Sequence, residues 1–254
     1  MMNKSDVLDG GAGTSDTLDI NKAFVLGGIA IDLSATGDQI TTFNGAANAA
    51  VQNGFENVDV SGVTGSFGAQ ITAVSTGSTI TGTTNADVVD GGVGNDVYVL
   101  ADLTTDTVNG VSGTDSLAAV GGVTIANTVD FGTYTNFDKL IASAATTDVI
   151  SFSAKADFVS DTGISTIDLS ADTNTTGTNI IDLSLVTTGT HTITGSAGAD
   201  IVTGGGVADD VTLGTGDDVY VLADLTTDTV NGVSGTDSLA AVGGVTIANT
   251  VDFG

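Results

Sequence analysis

Aspartate is the residue type here with a chemistry to offer, and its spacing suggests which. Asp87, Asp96, Asp106 and Asp115 follow one another at intervals of nine or ten residues, as do Asp200, Asp209, Asp218, Asp228 and Asp237. A short carboxylate in a turn can fold back on its own backbone or grip a hard, oxygen-seeking cation. Acid–base catalysis also uses paired carboxylates, but in a chain this rich in aspartate close pairs are unavoidable, and the fixed interval favours cation ligation. Other chemistries have little material. His191 is the only histidine and there is no cysteine, which excludes the usual zinc sets. His191 stands in His191-Thr-Ile-Thr-Gly, where an earlier segment reads Ser78-Thr-Ile-Thr-Gly, so we expect a surface histidine and not a member of a catalytic triad. The twelve-residue EF-hand loop ends in glutamate, and the sole glutamate, Glu56, lies in a strand-like segment.

The composition frames that chemistry. The net charge is −27, and the basic residues are four lysines: Lys4, Lys22, Lys139 and Lys155. So strong a polyanion argues against nucleic acid, whose phosphates need Lys and Arg, and against an anionic membrane surface. It also leaves trypsin-like proteases four cleavage points. Low aromatic content and high charge can mean disorder. Here the mean hydropathy is +0.32 and 41% of residues are hydrophobic, enough for a core. Val, Ile and Thr favour strands, and 36 glycines supply turns. No apolar run is long enough for a transmembrane helix. The opening residues, MMNKSDVLDGG, lack the apolar centre of a signal peptide, so either the chain is a fragment or export uses no cleaved N-terminal signal.

The elements that must position the aspartates are repeats. Residues 96–132 recur letter for letter as 218–254, an offset of 122. Such identity is a duplication, and the second copy stops where the chain stops, which implies a longer array. Elsewhere the likeness is weaker: FENVDVSG (55–62) matches ISTIDLSA (164–171), and STITGTTNADVV (78–89) matches HTITGSAGADIV (191–202) at offset 113. The step from 113 to 122 is nine residues. Read in nines, 82–90 and 91–99 form two nonapeptides, and 195–203, 204–212 and 213–221 form three. Asp87, Asp96, Asp200, Asp209 and Asp218 all hold position six, and Val or Tyr holds position eight. After one extra residue, Leu100 or Leu222, the frame resumes with Asp106, Asp115, Asp228 and Asp237 at position six. The second unit therefore carries one inserted nonapeptide.

GGVGNDVYV (91–99) fits every fixed position of the pattern GGxGxDxUx, U being a large apolar residue, and LGTGDDVYV (213–221) fits all but the first. In this the chain resembles the RTX family of calcium-binding nonapeptide repeats, and bacterial surface-layer and giant adhesin repeats among them. Asn85 and Val207 depart from the third glycine, ADLTTDTVN keeps only Asp106 and an apolar residue, and GGAGTSDTL (10–18) has one residue too many before Asp16. The resemblance covers about 85 residues, roughly a third of the chain. It implies an all-β fold, a right-handed parallel β-solenoid or β-roll of tandem units with calcium-binding turns. It further implies Ca²⁺ as the cofactor, export by a type I system, and a secreted or cell-surface location.

Two nonapeptides make one full coil, so side chains 18 residues apart stack. Asp200 with Asp218 is such a pair; glycine carbonyls complete an oxygen cage suited to Ca²⁺. Asp87 with Asp106, Asp96 with Asp115, Asp209 with Asp228, and Asp218 with Asp237 are 19 apart and read as weaker candidates. The metal set expected is these aspartates, with Asn95, Asp217, Gly91, Gly92, Gly94, Gly214 and Gly216 from the two best turns. Tyr98 and Tyr220 fill the inward position, and Phe55 and Phe137 belong to the core. Between the calcium segments, AIDLSA (30–35), NVDVSG (57–62), TIDLSA (166–171) and IIDLSL (180–185) read as plain strands of the same stack. Asn-Gly at 44–45, 53–54 and 109–110 signals hairpins, so local sandwich pieces stay open. Residues 46–55 and 142–158 read as short helical or irregular insertions. Thr-x-Thr at 79–81 and 192–194 is ordinary strand propensity, not an ice-binding array.

The expected domains are 1–105, 106–227 and the start of a third unit at 228–254. Stacked, unneutralised carboxylates and glycine-rich turns oppose folding, so calcium is expected to switch the chain from expanded to β-rich. No HExxH and no GxSxG occurs, so no enzyme is expected. The expected function is a calcium-dependent, self-assembling extracellular protein, a surface-layer or filament subunit, forming a homo-oligomer with cell-surface attachment. An extender region of a large adhesin and the non-catalytic part of a secreted hydrolase are the alternatives.

Overall fold

The computed structural model describes residues 6–100, 106–143, 149–223 and 228–242. The chain is nearly all β with mostly parallel sheets and, among the described residues, one short helix, Phe158–Thr162. It forms two compact units, residues 1–117 with 133–137, and residues 118–132 with 138–254. The sequence boundaries expected at 105 and 227 lie outside the described residues.

In the first unit, Thr17–Asp19, Asn57–Asp59, Thr79–Thr81 and Val97–Leu100 pair in that order in one parallel ladder. A second ladder runs Ile29–Asp32, Ala69–Thr72, Val88–Asp90, Thr107–Asn109, Tyr134–Thr135. In the second unit one ladder runs Lys139–Ala142, Thr166–Asp168, Thr192–Thr194, Asp210–Thr212, Thr229–Asn231. The other runs Thr124–Ile125, Ser151–Ser153, Thr178–Asp182, Ala199–Thr203, Val219–Leu222, Ser238–Ala241. Through the nonapeptides, successive strands of the chain alternate between the two ladders of their unit. Each lap therefore costs two nonapeptides, and the registers say so. Thr79 lies beside Val97, Thr192 beside Asp210 and Ile201 beside Val219, all 18 residues on. Val88 lies beside Thr107 and Val219 beside Ser238, 19 on, with the extra residue, Leu100 or Leu222, itself buried.

Burial follows the period of two that strands impose. Position eight faces inward: Val89, Tyr98, Val108, Leu117, Val202, Val211 and Tyr220 are buried, and Val230 and Leu239, in the last described strands, are half-buried. Ile29, Ile31, Val58, Ile80, Ile167 and Ile193 continue the same interior. Phe24 meets Phe43 edge-on at 5.0 Å in the first unit, and Phe158 meets both Phe131 and Phe152 in the second. Phe137 is buried; Phe55 is only partly so. The U-Asp-U-Ser segments end strands with an Asx turn. Asp32, Asp59, Asp168 and Asp182 each accept the N–H of the serine two residues on, at 2.9–3.0 Å. Their aspartates make corners.

The hairpin signals divide. Asn44 (φ 52°) and Gly45 (φ 74°) do turn an antiparallel hairpin, Ile40–Phe43 against Ala46–Ala47, because both central residues take the left-handed angles such a turn needs. Asn53 and Asn109 instead end parallel strands, Gln52–Asn53 on Leu8–Asp9 and Thr107–Asn109 on Val88–Asp90. Residues 46–55 contain no helix. Of 142–158, residues 144–148 lie outside the described set, Ser151–Ser153 is a strand, and Phe158 opens the helix.

Candidate metal centre

The frame aspartates point inward and stack in columns. Asp87, Asp96, Asp106, Asp115, Asp200, Asp209 and Asp218 are all buried. In all of these but Asp200, one carboxylate oxygen accepts a backbone N–H from the lap before. Asp96 Oδ1 takes the Ser78 N–H at 2.7 Å, and Asp115 Oδ1 takes that of Asp96 at 2.8 Å. Asp87 Oδ1 takes Ala69, and Asp106 Oδ1 takes Asp87. In the second unit Asp218 Oδ1 takes Asp200 at 2.8 Å, Asp228 Oδ1 takes Asp209 at 3.0 Å, and Asp237 Oδ1 takes Asp218 at 3.1 Å. The pairs 18 and 19 residues apart thus share one geometry, and the extra leucine does not weaken the contact. Glu56 joins the scheme: its Oε2 accepts the Asp16 N–H at 3.0 Å.

What the second carboxylate oxygen meets separates the turns. Asp87 Oδ2 accepts the Thr83 N–H at 2.7 Å, and Asp209 Oδ2 accepts that of Gly205 at 2.8 Å. Asp200 Oδ2 takes the N–H of Ser196 at 2.7 Å. Asp106 Oδ2 accepts the hydroxyls of Tyr98 at 2.7 Å and Tyr134 at 3.2 Å, and Asp228 Oδ2 that of Tyr220 at 2.9 Å. Asp96 Oδ2 and Asp218 Oδ2 are buried and have no hydrogen-bond partner among the described residues. These two stand in the nonapeptides closest to GGxGxDxUx. There Gly92 (φ 82°) and Gly214 (φ 104°) take left-handed angles at position two. In the Asp87, Asp200 and Asp209 turns it is the position-two N–H that caps the carboxylate.

Glycine at position one has a separate reason. A Cβ on Gly82, Gly110, Gly195, Gly204 or Gly232 would stand 2.0–2.9 Å from the carboxylate oxygen of its own turn's aspartate. At Gly91 the same spot is a cradle of oxygens: 2.9 Å from Asp96 Oδ2, 3.0 Å from Gly110 O and 3.2 Å from Asn109 O. A small cavity with room for one water-sized body lies between Gly91, Asp96, Asn109 and Gly110 and the apolar side chains of Ile80, Val89, Val108 and Phe137. Three oxygens face the Gly91 space, one carboxylate oxygen without a donor and two carbonyls, which is half or less of the six to eight that Ca²⁺ takes, and the glycine leaves the space open. At position 213 the equivalent residue is a buried leucine whose own Cβ takes the space, so Asp218 has the bare oxygen without the cradle.

The remaining expected ligands are elsewhere. Asn95 Oδ1 and Asp217 Oδ1 are on the outside, accepting the N–H of Thr114 and Thr236 at 2.8 Å each. Gly94 and Gly216 stand where laps touch closely; a Cβ would stand 2.1 Å from Gly77 N and 2.5 Å from Gly198 O. Among the described residues no three His or acidic side chains gather around one point.

Burial governs the charges. It pushes the Asp87 carboxyl up to about 6, against the opposing hydrogen bonds from Ala69 and Thr83, with the Asp106 charge adding to the rise. It pushes Asp96 up to about 7, with the charges of Asp115 and Asp90 adding. Asp200 rises to about 6 and Asp218 rises too, both chiefly by burial.

His191 is a correction: it is buried, not at the surface. It takes the inward place that Ser78 holds in the first unit, two residues before buried Ile193. Its Nδ1 is 2.7 Å from Asp209 Oδ1, and its N–H reaches the same oxygen at 3.3 Å. Gly205 overhead has no side chain to exclude the ring. Sequence reading also missed Asn179, which extends the Asp200 column backwards by accepting the Ile150 N–H and donating to Asp172 Oδ2 and Ser196 Oγ. An alternation of inward residues ending 18 before Asp209 was the available signal for His191; Asn179, 21 before Asp200, left none.

No protein-family model, curated protein or solved structure matches the chain.

Proposed function

We propose that the chain is a calcium-stabilised, right-handed parallel β-solenoid with a structural and not an enzymatic role, secreted or held at the cell surface, whose units assemble with copies of themselves. The observation that carries this reading is the pair of columns of buried aspartates, with Asp96 Oδ2 set against two carbonyls. The four lysines of the sequence cannot neutralise such columns. Calcium at Asp96 would supply the missing positive charge and tie the lap of Gly91–Asp96 to that of Asn109–Gly110. The resemblance of 91–99 and 213–221 to RTX nonapeptides supports the same ion. Repeats whose strands pair in parallel ladders within each unit suit a subunit of a surface layer or filament.

Negative-stain microscopy with and without calcium tests the assembly. Ordered sheets or filaments that form on adding calcium support a coat subunit. Separate rods under both conditions would replace it with the adhesin-extender reading.

A further inference from the structure

We infer a cation site outside the nonapeptides, where Asp38, Asn48, Ala50 and Gln52 of the first unit converge. The Asn48 side-chain nitrogen lies 3.3 Å from Asp38 Oδ1, 3.3 Å from Asp38 Oδ2 and 2.7 Å from Ala50 O, and it also contacts Gln52 Oε1. A carboxamide has two N–H bonds to give, and four acceptors surround it. Meanwhile Asn48 Oδ1 is buried with no partner among the described residues. Turning the amide over does not settle the account, because it sets a fifth oxygen among the four. Either way more oxygens than N–H groups meet at this point.

The oxygens are held facing each other by the backbone. Asp38 Oδ1 accepts the N–H groups of Ile40 and Gln52 at 3.2 Å each, which leaves Oδ2 turned toward Asn48 alone. Gln52 is fully buried, and its amide nitrogen donates to Asp6 O, which fixes Oε1 on the cluster side. With the Asn48 amide turned, Asp38 gives two oxygens and Asn48, Ala50 and Gln52 one each. Water completes the six to eight that Ca²⁺ takes at 2.3–2.6 Å. The five oxygens carry a single negative charge, that of Asp38, so the affinity belongs at the weak end, about 1 mM, as in extracellular modules. The ligands flank the antiparallel hairpin, Asp38 before Ile40–Phe43 and Asn48 after Ala46–Ala47, and Gln52 stands on the parallel strand that follows. The ion would pin this insertion to the parallel stack. None of this depends on the aspartate columns.

The test is hydrogen exchange by mass spectrometry with Ca²⁺ alone as the probe, reading the segment 38–52 separately from 91–110. In the D96N/D218N double variant, protection of 38–52 is expected to rise with a midpoint of about 1 mM calcium, and D38N is expected to abolish that rise. Gln52→Glu, added to the same double variant, brings a second carboxylate and is expected to lower the midpoint roughly tenfold. A purely structural cluster would not respond so. Protection of 38–52 that ignores calcium, or a midpoint that Q52E leaves in place, would overturn the site whatever happens at 91–110.

Discussion

At Asp96 a single carboxylate oxygen separates a turn closed by the protein from one left open, where the proposed reading places an ion. The Asp87, Asp200 and Asp209 turns close themselves with a position-two N–H; the Asp96 and Asp218 turns, with left-handed glycines there, do not. Asp96→Asn should therefore remove more of the calcium-dependent rise in thermal midpoint than Asp218→Asn, whose cradle is filled by Leu213. Equal losses measured by calorimetry would contradict that ranking. The same position carries Val111 (φ 67°) and Val233 (φ 70°) in the GVSG turns, where a β-branched side chain is strained. Val111→Gly relieves the strain and should stabilise by about 1 kcal/mol in a denaturant titration; a net loss would show that the valine packs better than its angles suggest. His191→Ser copies the first unit and should cost little, whereas Asp209→Ala leaves a buried imidazole without its acceptor and should cost about 2–4 kcal/mol. The raised carboxyls fix a sign for pH. A group that binds its proton more tightly when folded gives stability that is whole below its unfolded value, near 4, and is lost as the pH passes the folded one. For Asp87, Asp96 and Asp200 that window runs from about 4 to about 7. Without calcium the midpoint should fall as pH rises through this window, and calcium should flatten the slope by replacing protons. A calcium-free midpoint that climbs toward neutrality would refute it.

Among the elements, the nonapeptide behaves as half a lap. The insertion in the second unit therefore changes faces. In the first unit Thr79–Thr81 and Val97–Leu100 share a ladder, whereas their counterparts Thr192–Thr194 and Val219–Leu222 lie in different ladders of the second. Deleting 204–212 should restore the first arrangement, bringing His191 over Asp218, and keep a cooperative unfolding transition. Deleting five residues from the same stretch breaks the lap and should abolish that transition; survival of both deletions would mean the register is loose. Much of this was legible in the sequence. The nine-residue frame, the inward position eight and the 18-residue stacking all follow from spacing, because in a parallel stack spacing is geometry. What spacing alone could not reveal is which way an aspartate faces. Position six lies inward with position eight, so its carboxylate is a column member before it is a ligand. Nor could Asn-Gly say whether it turned a hairpin, since at 53–54 and 109–110 the strand paired in parallel had already settled the course of the chain.

For the molecule as a whole, the balance is between many unneutralised buried carboxylates and the backbone pairing that holds them together. Hydrophobic burial and the N–H bonds to the stacked carboxylates favour the folded state, while carboxylate desolvation and the entropy of 36 glycines oppose it. On the proposed reading calcium is the component that tips the sum, by mass action on the folded form. Circular dichroism during removal and return of calcium at neutral pH reads this directly. The account predicts that the β signal collapses in calcium-free buffer and returns at about millimolar calcium; a β spectrum that is the same with and without the ion would contradict it.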